Sequence, residues 1–130
     1  MRKFRIALIR NFHSIVEWGS FNIGSFKNLI QNILPSAQIH VYAPISGDGF
    51  PDVFAYDLII LSGGPQSLLL ESQPSWVEET FAFIRAFSES STNAKLLGIC
   101  WGHLAICRAF GGSLTERQCV RPHRNISESF

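Results

Sequence analysis

The sequence has 130 residues, enough for one domain with a modest core. Its 46% hydrophobic and 16% charged residues exclude a disordered chain. A formal net charge of +1 offers no basic footprint for nucleic acid or for an acidic membrane surface, and no apolar run is long enough to span a bilayer.

The basic start, Met1-Arg2-Lys3, is followed by an apolar stretch too short for a signal peptide and broken by Arg10 and Asn11. The three cysteines, Cys100, Cys107 and Cys119, are unevenly spaced. That is a poor disulfide framework, and no CxxC pair suggests zinc. The expectations are a reducing, cytoplasmic setting, no metal and no cofactor, with Cys107 in the core and Cys119 an exposed thiol.

Apolar runs alternate with helical patterns, as in βαβ units around a parallel sheet. Residues 4–9 read as a first strand, apolar on both faces as expected when helices cover both sides. Phe26, Leu29, Ile30, Ile33 and Leu34 recur at helical spacing, and Pro35 stops that helix. Residues 39–43 predict a second strand and residues 57–61 a third, which Ser62-Gly63-Gly64-Pro65 breaks abruptly. A helix begins near Ser75, where Ser75 and Glu78 have capping-box spacing. Trp76, Thr80, Phe83 and Phe87 line one face of it, widened by Val77, Phe81 and Ile84, as core packing and not a cofactor box. Residues 95–99 predict a fourth strand. Residues 102–110 predict a short apolar helix, closed by Gly111-Gly112. From 113 to 130 the chain is polar, with no convincing period, and reads as a frayed tail.

The chemical signal is Gly98-Ile99-Cys100-Trp101-Gly102, between a predicted strand and a predicted helix. This is the spacing of a G-x-S-x-G nucleophile elbow with cysteine in place of serine. An abrupt strand-to-helix turn holds its central residue in a strained conformation, and crowding favours glycine two positions to either side. Cys100 then emerges at the carboxyl end of the sheet, where open α/β folds bind ligands. The helix N-terminus favours negative charge placed there. The Trp101 backbone N–H can donate to an oxyanion, and Gly63 or Gly64 can supply the second donor, since Pro65 has no N–H.

These segments resemble class I glutamine amidotransferase domains. The resemblance rests on residues 57–65, on residues 97–103 and on Ala109-Phe110-Gly111-Gly112, and it covers roughly residues 4–112. It implies a flavodoxin-like α/β fold: a parallel sheet with helices on both faces, here incomplete at the C-terminus. Residues 1–112 would form part of the domain and 113–130 a divergent tail. It implies release of ammonia from glutamine, or cleavage of another γ-glutamyl compound, through a Cys100 thioester, with Gly64 and Trp101 as oxyanion donors.

Two departures follow from the same comparison. Leu104 stands where the family usually has a substrate-binding glutamine, and Leu104 makes no side-chain hydrogen bond. The family's downstream His-x-Glu pair is also missing: the candidates are His123, Glu116 and Glu128, none at that spacing. The end at Phe130 reads as a truncation, an alternative splice form or a misread frame. Two other readings stand beside the enzyme. One is a non-catalytic domain whose incomplete sheet binds a protein partner. The other is a different cysteine-elbow hydrolase, such as a γ-glutamyl peptidase or a PfpI-like protein. His103 would fix local hydrogen bonds, His13 and His40 would be structural, and Trp18, Phe21 and Phe26 could wall the pocket or simply bury the first loop.

Overall fold

In the computed structural model the described residues are 3–13, 23–115 and 118–120, with side chains through Leu114. Apart from the helix Ser75–Glu89, five runs rich in Ile, Leu or Val organise the described residues up to Gly98, and four of them pair in parallel. They are β1 (Arg5–Ile9), β2 (Gln38–Tyr42), β3 (Leu58–Leu61) and β4 (Lys95–Gly98), in the order β2-β1-β3-β4. The fifth is helical: α1 (Ile23–Ile33) joins β1 to β2. The first four positions of a flavodoxin-like order are the same, with its switch point between β1 and β3.

Successive strand residues face opposite sides of a sheet. Ala7, Ile9, Ile59 and Leu61 pack on one side with Val77, Phe81 and Ile84 of α2 (Ser75–Glu89) and with Ala105 and Ala109 of α3 (Trp101–Ala109). Ile6, Leu8 and Ile60 pack on the other side with Ile30 of α1. Helices therefore cover both faces, as the sequence predicts. Leu97 of β4 is 47% exposed, since α1 packs over β1 and β3 and not over this strand.

Four local expectations are corrected. The capping box at Ser75 does not form. Pro74 occupies the cap position in extended conformation, and its carbonyl takes the N–H groups of Val77 and Glu78 at 3.0 and 3.2 Å. Ser75 is then the first helical residue, too far into the turn to act as the cap. On α2 the buried face centres on Val77, Thr80, Phe81 and Ile84, while Trp76, Phe83 and Phe87 sit half-buried at its flanks. From Ser113 the chain is not structureless. Ser113–Thr115 (β5) and Gln118–Val120 (β6) form a short antiparallel pair, too brief for a period to register. Cys107 is disulfide-bonded and not a free core thiol. Its helix packs against β5 and β6, a contact that spacing along the chain does not reveal. The side chain of Cys119, with Trp18, Phe21, Glu116, His123 and Glu128, lies outside the described residues.

Candidate functional site

The elbow forms where the sequence puts it. β4 ends at Gly98, α3 starts at Trp101, and Cys100 turns between them with φ 53° and ψ −107°. No other non-glycine among the described residues has a positive φ. Such a conformation costs roughly 1–3 kcal/mol and persists only where the surroundings impose it. Both flanking glycines are imposed by close approach. A Cβ on Gly98 would lie 2.6 Å from the Gly102 carbonyl carbon and from the His103 nitrogen. A Cβ on Gly102 would lie 2.3 Å from the Leu61 carbonyl oxygen. The first contact is the predicted collision across the turn. The second differs: Gly102 lets α3 press on β3, not on Gly98. Cys100 is left exposed, and its sulfur makes no hydrogen bond among the described residues.

The Ser62-Gly63-Gly64-Pro65 loop leaves β3 at the same edge of the sheet. The Ile99 N–H bonds the Leu61 carbonyl at 2.9 Å, so elbow and loop depart from paired ends of neighbouring strands. Neither Gly63 nor Gly64 N–H meets an acceptor among the described residues, and the Trp101 N–H is a first-turn group of α3 without an intrahelical partner. Three backbone donors with no acceptor among the described residues thus belong to the two segments that flank Cys100.

The indole of Trp101 does something the sequence did not suggest. Its ring is buried, stacks on Trp76 with centroids 5.4 Å apart, and its Nε1–H donates to the Gln66 carbonyl at 2.8 Å. One residue therefore supplies a backbone donor on α3 and ties the loop after Pro65 to the elbow. Arg108, at the far end of α3, donates to the carbonyls of Leu68 and Leu70, the latter at 3.0 Å, and holds the same loop lower down. Asn11 was also missed. It is fully buried and bonds Ser62 from the end of β1. Its only sequence signal is a polar residue following an apolar strand.

Other candidates fall elsewhere. His103 is exposed on α3 and His13 is exposed beyond β1. His40 shares a hydrogen bond of 2.7 Å with the Tyr56 hydroxyl, which also meets the Tyr42 hydroxyl at 2.6 Å. Burial, and then the Tyr42 hydrogen bond, push the Tyr56 phenol up to about 12. Phe26 packs on the α1 side of the sheet, against the Ile6 cluster. Leu104 packs half-buried against the α2–α3 core, as an apolar residue would, in place of the polar partner expected there. Among the described residues no group of His, Cys, Asp and Glu could hold a metal ion.

Residues 22–128 match the family described as Glutamine amidotransferase class-I. The chain belongs to the class I glutamine amidotransferase family. The match runs past Gly112, where the resemblance read from motifs stopped. A glutamine amidotransferase-like protein of Gibberella zeae is 42% identical over 111 residues, which are 85% of this chain and 46% of that protein. One from Penicillium rubens is 36% identical over 89 residues, 68% of this chain and 37% of that protein. The chain thus spans less than half the length of these relatives. A glutamine amidotransferase structure from Thermotoga maritima superposes with a TM-score of 0.67 at 18% identity, covering 87% of this chain and 45% of that one. A second, from Methylobacillus flagellatus, gives 0.62 at 20% identity. Both likenesses speak for the fold, which is the flavodoxin-like fold of this family.

Proposed function

We propose that this family member carries the nucleophile and the oxyanion donors for attack on a γ-glutamyl carboxamide. The observation that carries the reading is Cys100, held exposed at φ 53° at the β4–α3 turn, next to a loop whose Gly63 and Gly64 N–H groups meet no acceptor among the described residues. The sulfur of Cys100 attacks the side-chain carbonyl carbon of glutamine or a related γ-glutamyl compound. The oxygen takes the negative charge and is met by the N–H groups of Trp101 and of Gly64, with Gly63 beside it. Collapse expels the amine, which leaves as ammonia once protonated, and forms a γ-glutamyl thioester. Water then splits the thioester into glutamate and free thiol.

The proton transfers need a base and an acid. Among the described histidines His40 bonds Tyr56, and His13 and His103 are exposed; none is hydrogen-bonded to Cys100. No cofactor is required by the sequence of bond changes. The test is incubation with a γ-glutamyl chloroketone, followed by peptide mass spectrometry. An adduct on Cys100 that Cys100→Ser abolishes is expected; folded protein left unlabelled would sink the reading.

A second reading has its own observation. β4 is the edge of the described sheet, and Leu97 on it is exposed. An exposed apolar edge is a template for association. A protein partner that covers β4 would give a role without catalysis. Under this reading the purified chain self-associates or gains stability with such a partner, and a monomer with cooperative unfolding counts against it. The relatives' names carry no ammonia acceptor over to this chain. No helix of the described residues is long and apolar enough to cross a membrane.

A further inference from the structure

The crevice between the carboxyl ends of β1 and β3 holds a closed set of hydrogen bonds around Asn11. The Asn11 backbone N–H donates to Ser62 Oγ at 2.9 Å, and Asn11 Nδ2 donates to the Ser62 carbonyl at 2.9 Å and to the Ile9 carbonyl at 3.5 Å. Ser62 Oγ donates in turn to the Gly63 carbonyl at 2.8 Å. Both side chains are 0% exposed. Two carbonyls face the same amide atom, so that atom must be the nitrogen. This leaves Asn11 Oδ1 buried and without a donor among the described residues. A side chain present for packing alone would carry no such cost. The amide is there for its donors.

Peptide planarity gives those donors a consequence. In a trans peptide the N–H points opposite to the C=O of the same plane. Asn11 Nδ2 pulls the Ser62 carbonyl inward, which turns the Gly63 N–H outward. Ser62 Oγ fixes the Gly63 carbonyl, which sets the direction of the Gly64 N–H. The backbone closes the assembly from the other side: a Cβ on Gly64 would lie 2.2 Å from the Asn11 carbonyl oxygen, so Gly64 sits directly on Asn11. No alternative peptide orientation keeps all four bonds.

We infer that Asn11 is a positioning residue which, through Ser62, holds the Gly63 and Gly64 N–H groups in the orientation that receives an oxyanion. The inference rests on the function proposed above, and its substrate is the same γ-glutamyl compound. Asn11 touches no reacting atom. It acts on the rate by fixing donors before the charge develops, when reorganisation would otherwise slow the reaction.

The test compares two electrophiles on the wild-type chain, Asn11→Ala and Ser62→Ala. A γ-glutamyl chloroketone builds charge on its carbonyl oxygen as sulfur attacks. Iodoacetamide is displaced at carbon and builds none. In both variants the limiting rate of chloroketone labelling at Cys100 should fall about 10–100-fold, with little change in half-saturating concentration, while iodoacetamide alkylation stays within about twofold. Ser62→Ala removes a single oxygen and little volume, so it tests the same brace if Asn11→Ala does not fold. Chloroketone labelling that stays fast in the variants overturns the positioning role and leaves the proposed function standing. Wild-type labelling no faster than that of a free thiol overturns both.

Discussion

The elbow makes a quantitative demand at Gly98. A methyl group there would stand 2.6 Å from the Gly102 carbonyl carbon, 2.6 Å from the His103 nitrogen and 2.7 Å from the Gly102 carbonyl oxygen. All three are backbone atoms, so no side chain can swing away. Reaching ordinary contact near 3.4 Å requires β4 and the first turn of α3 to part by about 0.8 Å. Overpacking of this kind costs about 1–3 kcal/mol, and the lower chain entropy of unfolded alanine returns about 0.4–1 kcal/mol. Gly98→Ala should therefore lose roughly 1–2 kcal/mol in urea unfolding followed by tryptophan fluorescence. Cys100 lies within the displaced turn, so chloroketone labelling should slow by about 10–100-fold. Gly49→Ala is the control, because a Cβ there meets nothing within 4 Å. Gly98→Ala matching Gly49→Ala in both stability and labelling would refute the claim that close approach dictates this glycine.

Three further outcomes follow from single contacts. Trp101→Phe keeps one aromatic ring at this position and deletes the Nε1–H bond to Gln66; the lost bond and the space left by the smaller ring should together cost about 2–3 kcal/mol in chemical denaturation and loosen the loop after Pro65. Arg108→Ala frees the carbonyls of Leu68 and Leu70, so limited proteolysis should cut first within residues 66–73 and faster than in the wild type, with no change of site if the contact is idle. Tyr56 ionises at 10.0 when unfolded and at about 12 in the fold, so its contribution is intact below pH 10 and is lost as pH rises toward about 12. Tyr56→Phe removes the phenol and should flatten this part of the stability profile.

The fold and the elbow were legible because each rests on strong local chemistry. Short apolar runs bounded by turn residues read as strands, and Gly98 and Gly102 around Cys100 leave few backbone alternatives. The misreadings have two other causes: an adjacent residue that takes the expected role, and neighbours distant in sequence. Pro74 displaced Ser75 from the cap, a choice that S-x-x-E spacing does not encode. Asn11 and Ser62 are 51 residues apart, and only the parallel pairing of β1 with β3 brings them together. Trp101 looked like a backbone donor alone until Gln66 came within reach of its indole. Cys107 looked unpaired because disulfide arithmetic treats spacing and not the contact of α3 with the β5–β6 pair.

On the proposed mechanism Cys100 takes an acyl group from a γ-glutamyl compound. A γ-glutamyl p-nitrophenyl ester tests it without needing a general acid, since p-nitrophenolate leaves unprotonated. Rapid mixing should give a burst of one phenolate per protein, a γ-glutamyl mass on the Cys100 peptide, and neither in Cys100→Ala. Phenolate release no faster than with a small free thiol, with no acyl group on Cys100 of the folded protein, would contradict the account.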